Sequence, residues 1–151
     1  MDEIPKWHKD LAPYFADGWP AFISCADGWR DIILNLVRDL DILGIPWKFH
    51  QVKEKFGSLR IYAYIHSVDD QWLKSVSAPD HELSAHDQKI LAFNSKSSEE
   101  KAVLFSEFDA LISKACMMSD TTCEYCGKYG KRRDDAYVVT LCDDCYDRDE
   151  E

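Results

Sequence analysis

Residues 123–145 read CEYCGKYGKRRDDAYVVTLCDDC. Cys123 and Cys126 form one CxxC pair and Cys142 and Cys145 a second, with 15 residues between the pairs. Two such pairs are the ligand pattern of a tetrahedral four-thiolate zinc site, because each tight turn delivers two sulfurs to one ion. Gly127 follows the first pair directly, where a zinc knuckle bends through positive φ. Four protein thiolates fill the coordination sphere, so the pattern predicts a single structural Zn²⁺ with no open position for water or substrate. Tyr137, Val138, Val139 and Leu141 form a short apolar strand leading into Cys142, as in a zinc ribbon or treble clef.

Upstream, Trp29, Ile32, Ile33, Leu36, Val37 and Leu40 recur at spacings of three and four, which predicts an amphipathic helix that Asp27 is placed to cap and that Gly44 and Pro46 end. From Trp47 the pattern becomes extended. Gly57 and Ser58 mark a turn, after which Leu59, Ile61, Ala63 and Ile65 alternate with Arg60, Tyr62, Tyr64 and His66. Residues 67–98 are polar, with Trp72, Leu73 and Val76, then Leu83, Ile90, Leu91 and Phe93, available to line short helices around a mobile loop near Ser77 to Ser84. Ser97 and Glu100 are spaced as a capping box before a stripe of Leu104, Phe105, Phe108, Leu111, Ile112, Ala115 and Cys116, predicting a long core helix to about Met118. The fold class expected is α+β: a β-hairpin or small antiparallel sheet packed by two main helices, with a C-terminal zinc-ribbon or treble-clef-like module. The division expected is residues 1–119 for the α+β domain and 120–151 for the four-cysteine zinc-binding module, which almost no linker separates.

The stretch QVKEKFGSLRIY, Gln51 to Tyr62, taken with the Gly28-Trp29 helix and the CEYCG and LCDDC segments, resembles a family of small phage and bacterial proteins with no assigned activity. The resemblance rests on a KFGxLR stretch beside a C-terminal four-cysteine knuckle. It implies a phage or mobile-element setting, in which proteins that bind and disable a host factor are common, a counter-defence role among them.

The chain carries 28 acidic against 18 basic residues, a net charge of −10. Such a surface is repelled by nucleic acid at long range and drawn to basic partners. Asp31, Asp39 and Asp41 on the first helix, with the acidic tail Asp147 to Glu151, are candidates for presentation to a basic protein; solubility is the plainer reading of the same charge. Basic residues gather locally, at Lys48, Lys53, Lys55 and Arg60 on the hairpin and at Lys128, Lys131, Arg132 and Arg133 in the knuckle. Among them Lys53, Lys55, Arg60, Lys131, Arg132 and Arg133 are candidate phosphate contacts, with Tyr62 and Tyr64 as stacking platforms; a solvated strand face is the alternative.

Catalytic patterns are absent: the sequence has no P-loop, GxSxG, HExxH or GxGxxG. Cys25 precedes a predicted helix N-terminus, where a thiol is activated unless it is simply buried, and Cys116 belongs to the apolar stripe. Asp80, His81, Glu82, His86 and Asp87 offer donors for a second metal, against the plainer reading of a polar loop. Asp80-His81 also resembles the dyad of zinc-bearing HNH-type nucleases, but there the dyad lies between the cysteine pairs and here it precedes both. Aromatic residues are abundant, and Trp7, Tyr14, Phe15, Trp19 and Phe22 crowd the first 22 residues, either as a protein-binding patch or, as favoured here, wrapped over the core.

No apolar run approaches the ~20 residues of a membrane span, and MDEIPKWHKD lacks the features of a signal peptide, so a cytoplasmic protein is expected, in a host cell if phage-encoded. The reading these features favour is a non-enzymatic, zinc-stabilised module that binds a bacterial protein with a basic surface and inhibits or adapts it. A zinc-ribbon nucleic-acid binder or transcriptional regulator is the first alternative, and an acidic immunity-type protein that neutralises a basic toxin the second.

Overall fold

The computed structural model describes residues 3–16 and 22–149. The tripeptide Asp17-Gly18-Trp19 and the last two residues of the acidic tail lie outside the described residues.

Helix α1 (Lys6–Asp10) and a 3-10 turn at Ala12–Tyr14 bring Trp7, Tyr14 and Phe15 onto the core, whereas Phe22, expected to wrap over it as well, is 42% exposed. Trp7 and Phe15 are buried, and Tyr14 stacks on Trp47 with ring centroids 5.2 Å apart. Strand β1 (Ile23–Ser24) follows, and then a 3-10 turn at Asp27–Trp29 that leads into α2 (Arg30–Ile42). Every apolar residue of the predicted helical stripe from Trp29 to Leu40 is buried. Asp27 does not cap this helix; it accepts a hydrogen bond from the Trp7 indole N–H at 2.9 Å, because the intervening 3-10 turn carries its side chain away from the first helical amides.

The hairpin consists of β2 (Trp47–Lys55) and β3 (Ser58–Ile65), joined through Phe56 and Gly57, both at positive φ (56° and 80°). That two-residue connection matches the twist of the flanking strands. The pairing is antiparallel with a bulge at His50, and β1 adds to β2 in parallel, Ile23 opposite Val52. The core lies under this sheet, where Phe49, Val52 and Leu59 meet Ile33, Leu36 and Leu40 of α2.

Helices α3 (Asp70–Val76) and α4 (Ala85–Asn94) fill the polar stretch, linked by residues 77–84. Each has a side-chain cap at its start. Asp69 accepts the Trp72 amide, and Ser84 with Asp87 forms a complete capping box. In α5 (Ser98–Ser119) Ser97 accepts the Glu100 amide. Phe108 and Ala115 are buried, with Leu104, Leu111 and Ile112 packed against the core. Phe105 lies at the edge of that face, its ring against Phe93 at 5.6 Å.

Cys116 is half-buried rather than a core residue. It receives the Ile61 backbone N–H, while Ser119 Oγ receives the Leu59 N–H at 2.9 Å. Helix α5 thereby covers the outer edge of β3, which would otherwise offer unpaired donors to another chain. The chain then enters the cysteine module, comprising β4 (Lys131–Arg133), β5 (Val139–Leu141) and α6 (Asp143–Asp149), with its own small apolar cluster of Cys123, Leu141 and Cys145. The architecture is α+β, a small sheet under two main helices with a C-terminal four-cysteine module. No helix among the described residues is long and apolar enough to cross a membrane.

Candidate metal centre

Cys123 and Cys126 come from a knuckle closed by the Cys123 N–H on the Lys128 carbonyl (2.7 Å) and the Gly127 N–H on the Cys123 carbonyl (2.9 Å). Gly127 sits at φ 82°, the left-handed region anticipated for it. Strand β5 delivers Cys142 just before α6, and Cys145 lies in the first turn of that helix. Knuckle, hairpin and helix follow one another in the order of a treble clef. The four sulfurs lie within 4.8 Å of one another, and Cys126 and Cys142 Sγ are 3.6 Å apart. Sulfurs bound at ~2.3 Å to a tetrahedral ion stand ~3.8 Å apart, so the arrangement could hold one metal ion with no further ligand.

The chemistry of the donors fits a cation. Burial alone would push the Cys123 thiol up, but N–H groups of Cys142, Cys126 and Tyr125 bring it down to about 7. Cys145 is pushed up to about 12 by burial and by the other three sulfurs, because thiolates this close do not ionise together unless a positive ion sits among them. Arg148 donates to Cys145 Sγ at 3.1 Å.

The module is clasped to the core at two places. The Gly28 N–H donates to the Glu124 carbonyl (2.6 Å), the Trp29 indole to the Thr122 carbonyl (2.8 Å) and the Ala26 N–H to Glu124 Oε2 (3.1 Å). A Cβ on Gly28 would fall onto the carbonyl oxygens of Cys123 and Glu124, so the approach requires glycine. At the hairpin tip, Thr140 Oγ1 donates to the Gly57 carbonyl (2.6 Å) and Ser58 Oγ to Asp120 (2.6 Å).

Between the hairpin tip and the module lies an open groove of about 960 Å³. Phe56, Tyr125, Tyr137 and Tyr146 line it with the carboxylates of Glu54, Glu124 and Asp135. Tyr137 is 83% exposed and Phe56 58%. Burial, with Glu54 nearby, holds the Glu124 carboxyl above the usual range, while the Ala26 N–H opposes this. The groove was not legible in the sequence, because its walls come from segments about 70 residues apart that meet only when the knuckle docks.

Of the basic residues, Lys53 and Arg60 stand opposite each other across the hairpin, and Lys53 lies over the Tyr62 ring at 5.6 Å. Lys55 lies over Phe56 at 5.5 Å. Lys131 is 3.5 Å from Asp143 and Arg132 3.0 Å from Asp134. Arg133, 13% exposed, donates to the Leu141 carbonyl and to Asp143 and stacks on Tyr146 at 4.5 Å, so it holds the module together. Lys48 donates to the Pro13 carbonyl at 2.7 Å.

Among the acids of α2, Asp41 accepts from Tyr14 and from the Trp47 indole, both at 3.1 Å, and Asp31 pairs with Arg30. The Cys25 thiol is not activated. Burial, then Glu124, Asp27 and Glu54, push it up to about 12. Asp80, His81, Glu82, His86 and Asp87 do not converge on one point: His81 pairs with Asp87 at 3.1 Å, and His86 turns to His66. Comparison with protein-family models, curated proteins and solved structures returned no match.

Proposed function

We propose that the chain is a non-enzymatic, zinc-stabilised protein-binding module that takes a basic segment of a bacterial protein into the groove beside the four cysteines. It would act by covering its target, as a phage or mobile-element accessory that inhibits or adapts a host protein. The observation that carries this reading is the groove itself, aromatic rings beside three carboxylates with one lysine, Lys55, in its wall. Aromatic faces and carboxylates together suit arginine and lysine side chains, and tyrosines concentrate binding energy at interfaces. Zinc is the ion that four thiolates in a knuckle and helix suit best, and with all positions filled by protein it has a structural role.

Affinity capture from bacterial lysate with the zinc-loaded chain, after nuclease treatment, tests the reading. A discrete protein should be retained by the native chain and lost with Tyr137→Ala or Asp135→Lys, two exposed changes that leave the cysteines untouched. Capture unaffected by both changes, or no saturable protein at all, contradicts it. A toxin as the captured partner would make the chain an immunity-type protein using the same groove.

Nucleic acid is the second reading, favoured by the Lys53 and Arg60 pair beside Tyr62. Lys53→Ala with Arg60→Ala should then weaken binding and flatten its salt dependence. Lys131, Arg132 and Arg133 are poorer probes because each already has a carboxylate partner.

A further inference from the structure

Two of the carboxylates in the groove come from different segments, Glu54 from the end of β2 and Glu124 from the knuckle. Each is held by one main-chain donor: Glu54 Oε1 accepts the Gly57 N–H at 2.9 Å and Glu124 Oε2 the Ala26 N–H at 3.1 Å. Their other oxygens take no hydrogen bond, and neither carboxylate an ion pair, from any described residue. Glu124 is only 8% exposed, so its carboxylate is largely withdrawn from water. We propose that Glu54 and Glu124 set the specificity of the groove and together clamp one arginine side chain of the bound partner, in preference to lysine. This rests on the basic-segment reading above and names the side chain that anchors it.

A carboxylate withdrawn from water needs donors for its remaining lone pairs. A guanidinium presents five N–H groups along the edges of one plane, so it can bond one carboxylate in parallel and still donate to a second, while its faces stay free for aromatic rings. An ammonium ion has three donors, holds its water more strongly and has no face to stack. The groove contains its own precedent, since Arg133 lies over the Tyr146 ring at 4.5 Å. Lys55, the one basic residue in the wall, turns to the Phe56 ring at 5.5 Å and pairs with no carboxylate among the described residues, so it leaves the two glutamates without a counter-ion. Tyr137 is the ring left for the incoming group: it is 83% exposed and carries neither a cation nor another ring among the described residues. No third metal-donor side chain converges with the two glutamates among the described residues, so they do not suit a bare metal ion.

The test titrates the zinc-loaded full chain with a blocked pentapeptide carrying one arginine among glycines and serines, and with its lysine and citrulline counterparts, followed by NMR. The amide signals of Gly57 and Ala26, which donate to the two carboxylates, should move saturably with the arginine peptide. Its Kd should lie at least ~10-fold below that of the lysine peptide, the worth of one hydrogen bond to a charged group, and the citrulline peptide should not bind. Glu54→Gln, which keeps an acceptor for the Gly57 N–H, should abolish the preference for arginine while the chain keeps its zinc. Equal affinity for arginine and lysine, or arginine binding that leaves both amide signals in place, would overturn the clamp and leave the basic-segment reading standing. No saturable shift with any of the peptides would overturn the clamp too, and capture from lysate, lost or kept in Tyr137→Ala, then decides the wider reading by itself. The peptides are compared on the native chain, so neither result depends on the variant folding.

Discussion

Gly28 shows how much of this fold turns on a single missing side chain. Its amide reaches the Glu124 carbonyl at 2.6 Å, and the space a Cβ would need is filled by the backbone of Cys123 and Glu124. Backbone atoms cannot swing aside as a side chain can, so Gly28→Ala should cost at least the ~1–3 kcal/mol of ordinary overpacking. Thermal unfolding of the zinc-loaded variant checks this; an unchanged midpoint would mean the module is not seated on Gly28. Sequence reading found Gly28-Trp29 as the start of a helix. It could not find the seat, because the partner atoms lie almost a hundred residues away and are main chain, which carries no sequence signal. The four cysteines were legible for the opposite reason, since ligand chemistry fixes both residue type and spacing.

Helices α2 and α5 were legible as elements because burial of one face imposes a period, and the buried positions of α2 fall on it without exception. Strand β1 was not, as two residues paired in parallel leave no pattern to read. Nor was the edge cover, in which Ser119 and Cys116 take donors from β3. Ser119→Ala would leave the Leu59 N–H buried without a partner, at a cost of ~1–3 kcal/mol. Hydrogen exchange at Leu59 should then accelerate more than at α2 amides.

The contact of α4 with the hairpin should be sensitive to acid in two separate windows. His86 is lowered by burial, Lys48, His66 and Lys89, against the pull of Asp87, from 6.5 to about 4. The unfolded chain therefore takes up this proton first, and stability falls as pH drops through that range. Burial opposes ionisation of Asp87, but hydrogen bonds from Ser84, His81 and Trp72 prevail and bring it from 3.8 to about 2, so its contribution is held above pH 4 and lost toward pH 2. Unfolding midpoints between pH 7 and 4 should fall more steeply in the native chain than in His86→Gln; parallel curves would show that His86 carries no such load.

At the scale of the whole molecule, segments far apart in the chain meet in space. Gly28-Trp29 holds the knuckle, and the KFGxLR turn holds β5 through Gly57 and Thr140. The hairpin tip and the module enclose a groove whose aromatic and acidic walls exist only while the cysteine module is in place. In this account the metal does more than staple thirty residues. Loss of the ion should unfold the module, because its binding free energy is largely the module's folding free energy, and should release the core segments that clasp it.

Hydrogen exchange of the full chain, zinc-loaded and after chelation, tests that claim most directly. Protection should be lost on chelation across 120–149 and also at residues 26–29 and 54–59, while amides in the middle of α2 change little. Identical protection with and without chelator would contradict the account.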